Sequence, residues 1–400
     1  MSDNAQWAER ARKVLTPNYR QQPIAVVRGQ GSRLFDADGN AYYDFLGGVA
    51  VDVLGHCHPA LIRALEEQAH TVWHVSNHYF IPRQIELAEA LLEVTPFARR
   101  AFFCNSGAEA NEAMLKLARK FHADQGHSER HEIVSCLDSF HGRTLFTVTV
   151  GGQDKYRKGF EPVVPGVRHV PFGDLEALDQ ALTDRTAAFI VEPILGESGV
   201  VPAPAGYLEA ARELTRKRGV LLCLDEIQTG MGRTGRMWAH EWSGIAPDLM
   251  SIAKSLGGGF PIGALLASEE VGSHLTAGSH GSTFGGNPLA CAVALAVLRE
   301  LRGGLLERSR EAGARLQAGL EALAAGGRVR EVRGRGMLLA LVVKGVAAGE
   351  VMRAARAKGV LVNAIGDDVL RLAPPLTLTA AEIDDAVSRL GAALAAAPAV

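Results

Sequence analysis

Between residues 84 and 285 one unit recurs: a short unbroken apolar run, a polar or glycine-rich exit, and then a helical pattern. Ala101-Phe-Phe-Cys104 runs into Asn105-Ser-Gly107 and a helical stretch over 108–123. Ile133-Val-Ser-Cys-Leu137 runs into Asp138-Ser-Phe140-His-Gly-Arg143, and Ala187-Ala-Phe-Ile-Val191 into Glu192-Pro193. Val220-Leu-Leu-Cys-Leu224 runs into Asp225-Glu-Ile-Gln228, and Leu249-Met-Ser-Ile-Ala253 into Lys254. Runs this short and apolar read as strands buried on both faces, the pattern of a mostly parallel sheet covered by helices. Ligands of such sheets bind beyond the carboxyl ends of the strands. The polar exits are therefore predicted to converge on one crevice.

Each exit has its own chemistry. Lys254 closes a buried strand, and burying an ammonium is unfavourable unless it is paired or neutralised. Two readings follow: a tip that reaches solvent past the strand, or a desolvated amine that forms a Schiff base with a carbonyl cofactor. Ser106, Gly107 and Ala108 form a strand-to-helix turn whose free amides suit a phosphate, though Ser106 would also serve as a plain helix cap. The turn is neither a Walker A loop nor a GxGxxG, which disfavours a nucleotide. Phe140 is either core filler or a stacking face for a flat ring, and Arg143 suits a carboxylate. Asp225 needs a cation: Lys254 in an ordinary salt bridge, or a protonated pyridine nitrogen. Gln228, three residues on, can reach a ring hydroxyl. Phosphate seat, ring face, ring-nitrogen partner and carbonyl-trapping amine together describe pyridoxal phosphate.

The rest of the chain frames this unit. Residues 1–50 are expected to form an N-terminal arm and part of a small domain, with two strand-like runs about the Asp38-Gly39-Asn40 turn. Residues 51–285 are expected to form the large α/β domain. Residues 286–400 are expected to form a small α+β domain, with helices at 289–301, 305–325, 349–358 and 379–396 and strands at 335–343 and 369–373. His56 and His58 lack a third ligand at usable spacing, and Pro59 suits the first turn of a helix, so no metal is expected. A net charge of −2 gives no reason to expect nucleic acid or an anionic membrane. Five scattered cysteines without a Cys-x-x-Cys suggest reduced thiols in a cytoplasmic protein. The longest apolar stretch, 288–298, is too short to span a bilayer.

Over nearly its whole length the sequence resembles the class III aminotransferases of pyridoxal-phosphate fold type I, and among them most closely the acetylornithine aminotransferases. The resemblance rests on Asn105-Ser-Gly-Ala-Glu-Ala-Asn111, Ser139-Phe-His-Gly-Arg143 and Asp225-Glu-Ile-Gln-Thr-Gly-Met-Gly-Arg-Thr-Gly235. Lys254 with the glycines at 257–259, and Gly281-Ser-Thr-Phe-Gly-Gly-Asn-Pro-Leu-Ala290, complete it. It implies that Lys254 binds the cofactor and moves the substrate proton. It implies that Asp225 pairs with the ring nitrogen, Gln228 contacts the ring hydroxyl, Phe140 stacks on the ring, and Ser106, Gly107 and Ala108 seat the phosphate. Thr283 is implied to reach the phosphate of a neighbouring subunit, with Ser282 beside the substrate, so a homodimer with shared active sites is expected.

The same resemblance gives Arg143 the distal carboxylate of the substrate and Arg371 the α-carboxylate of glutamate. Glu197 is implied to pair with Arg371 whenever no carboxylate reaches it; a permanent structural salt bridge is the alternative. The activity implied is transfer of the δ-amino group of N-acetyl-L-ornithine to 2-oxoglutarate, in arginine metabolism. Succinylornithine, ornithine, 4-aminobutyrate and a lysine-pathway substrate share these motifs. An aminomutase or racemase would need no keto acid. Tyr19, Tyr42, Asn77 and Tyr79 are candidates for the far end of the substrate.

Overall fold

The computed structural model describes residues 2–400. A helix, Asp3–Val14, opens it, and three strands follow: β1 (Val26–Gln30), β2 (Arg33–Asp36) and β3 (Ala41–Asp44), paired as an antiparallel meander. The sequence suggests two strands here. A second turn at Gly31, whose φ of 55° is left-handed, divides the first run.

The apolar runs then build one seven-stranded sheet. Its strands are β4 (Arg100–Cys104), β5 (Glu132–Cys136), β6 (Val167–Val170), β7 (Thr186–Val191) and, after a short hairpin of β8 (Ile194–Leu195) and β9 (Val201–Pro202), β10 (Leu221–Asp225), β11 (Leu249–Ile252) and β12 (Gly263–Ala267). The spatial order is β4-β12-β11-β10-β7-β5-β6. All pairs are parallel except those of β12, which runs antiparallel to both β11 and β4. The ten residues between β11 and β12 are too few for a crossover, so the strand must turn back. Every residue of β5, β7, β10, β11 and β12 is buried, as two-sided coverage requires. Edge strand β6, Val-Arg-His-Val, is half-exposed and has no apolar run, which hid it in the sequence.

The helix Gly107–Asp124 starts directly from β4. Ser106 caps it by accepting the Glu109 amide, and its apolar face lies across β7, β11 and β12. The helix Pro288–Glu300 is buried continuously from Pro288 to Leu298 and packs on helices Pro59–Ala69 and Pro82–Glu93. Leu289, Leu295 and Leu298 contribute about 1.5–3 kcal/mol each by that burial.

The C-terminal region holds β13 (Val329–Arg335), β14 (Leu338–Val343), β15 (Val360–Leu361), β16 (Asn363–Ile365) and β17 (Val369–Leu372). An antiparallel sheet of order β13-β14-β17-β16 is covered by helices Leu306–Ala322, Ala348–Ala357 and Ala380–Ala396. The single strand expected over 335–343 is a hairpin arm, because Gly336 at φ 60° reverses the chain. Strand β15 leaves this region and pairs parallel with β3, placing Val360 opposite Tyr43 and Leu361 opposite Asp44.

Candidate active site

The carboxyl ends of β4, β5, β7, β10 and β11 open on one cavity of about 400 Å³. Ser106, Gly107, Ala108, Phe140, Arg143, Glu197, Asp225, Gln228 and Lys254 all line it, so nine residues singled out in the sequence meet there. Arg371 reaches its edge from β17. Ser282 and Thr283 do not enter the cavity of their own chain. Ser282 accepts a hydrogen bond from Asn105 Nδ2 at 3.1 Å, and Thr283 is exposed on the same turn.

Lys254 follows β11 with φ of 43°, a left-handed conformation that an unbranched lysine adopts only under constraint. Burial lowers its pKa below the usual lysine value. Arg371 acts in the same direction, while Glu197, Asp225 and Glu192 oppose it. A lysine so placed is primed to be a neutral nucleophile.

Asp225, 3% exposed, closes β10. Its Oδ2 accepts from Asn111 Nδ2 and from His141 Nδ1, each at 2.8 Å, and its Oδ1 accepts the Ile227 amide at 3.0 Å. Asn111 also donates to the His141 carbonyl at 2.8 Å. The carboxylate is thus held rigidly from behind while its front faces the cavity. Neither Asn111 nor His141 was assigned a role from sequence, although both sit inside motifs that carry the resemblance.

Gly107 and Ala108 are the first residues of an 18-residue helix, so their amides have no intrahelical acceptor and lie at its positive end. The Phe140–Arg143 turn presses on this seat. A Cβ at Gly142, whose φ is 135°, would meet Ala108 Cβ at 2.9 Å and also strike Thr147 Oγ1. Phe140 donates its amide to Glu192 Oε1 at 2.9 Å, which fixes its ring beside the cavity. The exposed Arg143 guanidinium lies 3.7 Å from the Tyr156 ring centroid and 5.6 Å from that of Phe140. No carboxylate among the described residues pairs with it.

Arg371, 2% exposed, donates from Nη1 to Glu197 Oε1 at 2.6 Å, to the Gly196 carbonyl at 3.1 Å and to Gln228 Oε1 at 3.3 Å. Gln228 Nε2 donates to Glu197 Oε1 at 3.3 Å. Burial raises the pKa of Glu197, but Arg371 and Lys254 outweigh it and hold the carboxyl below its usual range. Glu192 is buried and its carboxyl is pushed upward by that burial. The sequence marked it only as a strand exit.

Other candidates lie elsewhere. Tyr42 does not reach the cavity: its hydroxyl donates to Asp36 at 2.7 Å within the N-terminal sheet. Tyr19 and Tyr79 are exposed, and Asn77 donates to the carbonyls of Ser282 and Gly285. His58 caps the helix that Pro59 begins, through Nδ1 and the Ala60 amide. His56 faces two carboxylates that the sequence did not bring to it, Asp44 at 2.8 Å and Asp52 at 3.8 Å.

The residues fit pyridoxal phosphate on their own geometry: an amide seat for an anion, a fixed carboxylate for a ring nitrogen, an aromatic wall and a primed lysine. Fold and site together define a pyridoxal-phosphate enzyme of fold type I. The family model described as aminotransferase class-III matches residues 14–394. The acetylornithine aminotransferase of Myxococcus xanthus is 50% identical over 380 residues, 94% of each chain. That of Pseudomonas putida is 49% identical over 388 residues, 96% of this chain and 95% of the relative. Among solved structures, the N-acetylornithine aminotransferase of Stenotrophomonas maltophilia is 39% identical with a TM-score of 0.83, covering 94% of this chain and 97% of that one. The ornithine aminotransferase of Toxoplasma gondii is 35% identical with a TM-score of 0.95, covering 99% and 96%. The chain belongs to the class-III aminotransferases, enzymes that use pyridoxal phosphate.

Proposed function

We propose that this enzyme moves the δ-amino group of N-acetyl-L-ornithine to 2-oxoglutarate, giving N-acetyl-L-glutamate 5-semialdehyde and L-glutamate. The observation that carries the reading is the asymmetry of the two arginines. Arg371 is neutralised by Glu197 at 2.6 Å, while Arg143 on the cavity lining has no carboxylate partner among the described residues. A substrate that presents an amine from its chain end and its carboxylate far away fits this arrangement, because Arg371 is not left as an unpaired buried charge.

The bound cofactor supplies an electron sink for the carbon that carries the amine. Ser106 orders the turn whose Gly107 and Ala108 amides hold the phosphate. Asp225, oriented by Asn111 and His141, holds a proton at the ring nitrogen. Phe140 covers one ring face, and Gln228 serves the ring hydroxyl when it turns from Arg371. Lys254 Nζ anchors the cofactor and moves the proton at the amine-bearing carbon. Arg143 binds the carboxylate of the acylornithine. For glutamate, Glu197 turns away and Arg371 takes the α-carboxylate.

The active form is a homodimer. Trp73, Tyr79, Phe80 and Phe284 are exposed, Phe80 at 93%, and the rings of His74 and Phe284 lie 5.2 Å apart. An exposed apolar cluster of this kind marks an interface. Thr283 precedes Phe284 of this cluster, and on this reading it reaches a partner's phosphate, with Ser282 toward that partner's substrate. Among the described residues no helix is long and apolar enough to cross a membrane. The four buried cysteines and exposed Cys57 are all free, which supports a reducing cytoplasmic setting.

A substrate panel with 2-oxoglutarate as acceptor tests the reading. N-acetylornithine should give a higher kcat/KM than ornithine or 4-aminobutyrate. A preference for ornithine would replace the assignment, and turnover without a keto acid would place the enzyme among mutases or racemases. Succinylornithine differs only at the acyl end, so its ratio to the acetyl form measures that end alone.

A further inference from the structure

Glu197 sits at the tip of the β8–β9 hairpin, and the backbone of that tip is held on both sides. On the far side Arg333 Nε, from β13, donates to the Gly199 carbonyl at 2.9 Å, and Ser198 Oγ donates to the Asp138 carbonyl. On the near side Gly196 is gripped twice. Its amide donates to Glu192 Oε2 at 3.1 Å, and its carbonyl accepts from Arg371 Nη1 at 3.1 Å. A Cβ at Gly196 would press on the Gln228 side-chain amide, so glycine leaves that amide its present place. Glycine has the widest choice of backbone conformations, so its orientation here depends on those hydrogen bonds.

We propose that Glu192 is a positioning residue that holds Arg371 ready for the α-carboxylate substrate, acting through Gly196, and thereby sets the balance between the two half-reactions. The inference rests on the two-substrate reading above. While the ω-amine donor reacts, Arg371 has Glu197 as a charged partner and needs little else. Once Glu197 turns away, and with Gln228 turned to the ring hydroxyl, the acceptor left to Arg371 Nη1 is the Gly196 carbonyl. Gly196 keeps that carbonyl aimed only while Glu192 holds its amide. Glu192 Oε1 also holds the Phe140 amide, but the ring face serves both half-reactions alike. A defect on that side therefore cancels in a ratio of the two.

The test is a pair of single-turnover half-reactions on cofactor-saturated enzyme, one with N-acetylornithine and one with L-glutamate. Glu192→Gln keeps the size of the side chain but offers one carbonyl oxygen to two amide donors. It should lower kcat/KM for glutamate by about tenfold or more, the effect of losing a hydrogen bond that orients a charged group. The loss should lie in KM, and the loss for N-acetylornithine should be several-fold smaller. Glu192→Asp, one methylene short of both amides, should skew the ratio the same way and serves if the glutamine variant does not fold. Equal losses for the two substrates in either variant would overturn the inference, since a merely structural role moves both. Wild-type enzyme that fails with one of the two substrates would remove the two-substrate reading itself, and this inference with it.

Discussion

His141 and Asp225 are locked to each other 84 residues apart in sequence, with Nδ1 2.8 Å from Oδ2 and the histidine side chain wholly buried. The carboxylate accepts, so Nδ1 must carry a proton. This contact, with Asn111 on the same oxygen, prevents Asp225 from turning out of the cavity. His141→Ala should therefore weaken cofactor binding and lower kcat together, by about ten- to a hundredfold. Cofactor titration beside steady-state kinetics checks this; a variant with normal affinity and rate would show the contact to be idle.

Lys254→Ala should abolish turnover. Borohydride reduction of the wild-type holoenzyme should leave the cofactor covalently attached to the peptide containing residue 254, seen by mass spectrometry, and the variant should show no such adduct. Attachment at another lysine would reassign the anchor.

Arg143→Ala should raise KM for N-acetylornithine by about tenfold or more, the range for a lost charge-assisted contact. Cofactor affinity should change far less, because the guanidinium rests on the rings of Tyr156 and Phe140 at the outer side of the cavity. Equal losses of substrate and cofactor binding would mean that the arginine supports the turn instead.

Asp36 ties the N-terminal sheet to pH through its hydrogen bonds from Asn4, Asn40 and Tyr42. Burial pushes its carboxyl up, but donors on Asn40, Tyr42 and Asn4 outweigh this and lower its pKa from 3.8 to about 2. A carboxyl depressed by folding stabilises fully above 3.8, and that contribution disappears as pH falls from 3.8 to about 2. Asp36→Asn should unfold more easily than wild type at neutral pH, with the gap closing over that window. Denaturant melts at several pH values would show it, and a gap independent of pH would refute it.

How much of this could be read from the chain varies with the kind of signal. The buried strands were legible because two-sided burial leaves unbroken apolar runs, and their exits named the cavity wall residue by residue. Edge strand β6 was not, since a half-exposed Val-Arg-His-Val has neither run nor clean alternation. The turns at Gly31 and Gly336 escaped because a lone glycine does not announce a left-handed φ. Asn111, His141 and Glu192 were visible as letters without roles. Their importance lies in which atoms they meet: the His141 carbonyl and Asp225 carboxylate for Asn111, and the Phe140 amide for Glu192, lie 30 to 114 residues away.

The pairing of β15 with β3 also bears on how the protein is made. Tyr43 and Asp44 leave the ribosome first, and their neighbours Val360 and Leu361 are synthesised 317 residues later. At about 5–20 residues per second the first sheet waits on the order of tens of seconds for its last strand. Throughout that interval the free edge of β3 is open to other chains. Nascent-chain protection of residues 41–44 should therefore appear only once residues 360–361 have emerged, and chaperone demand should concentrate in the interval before that.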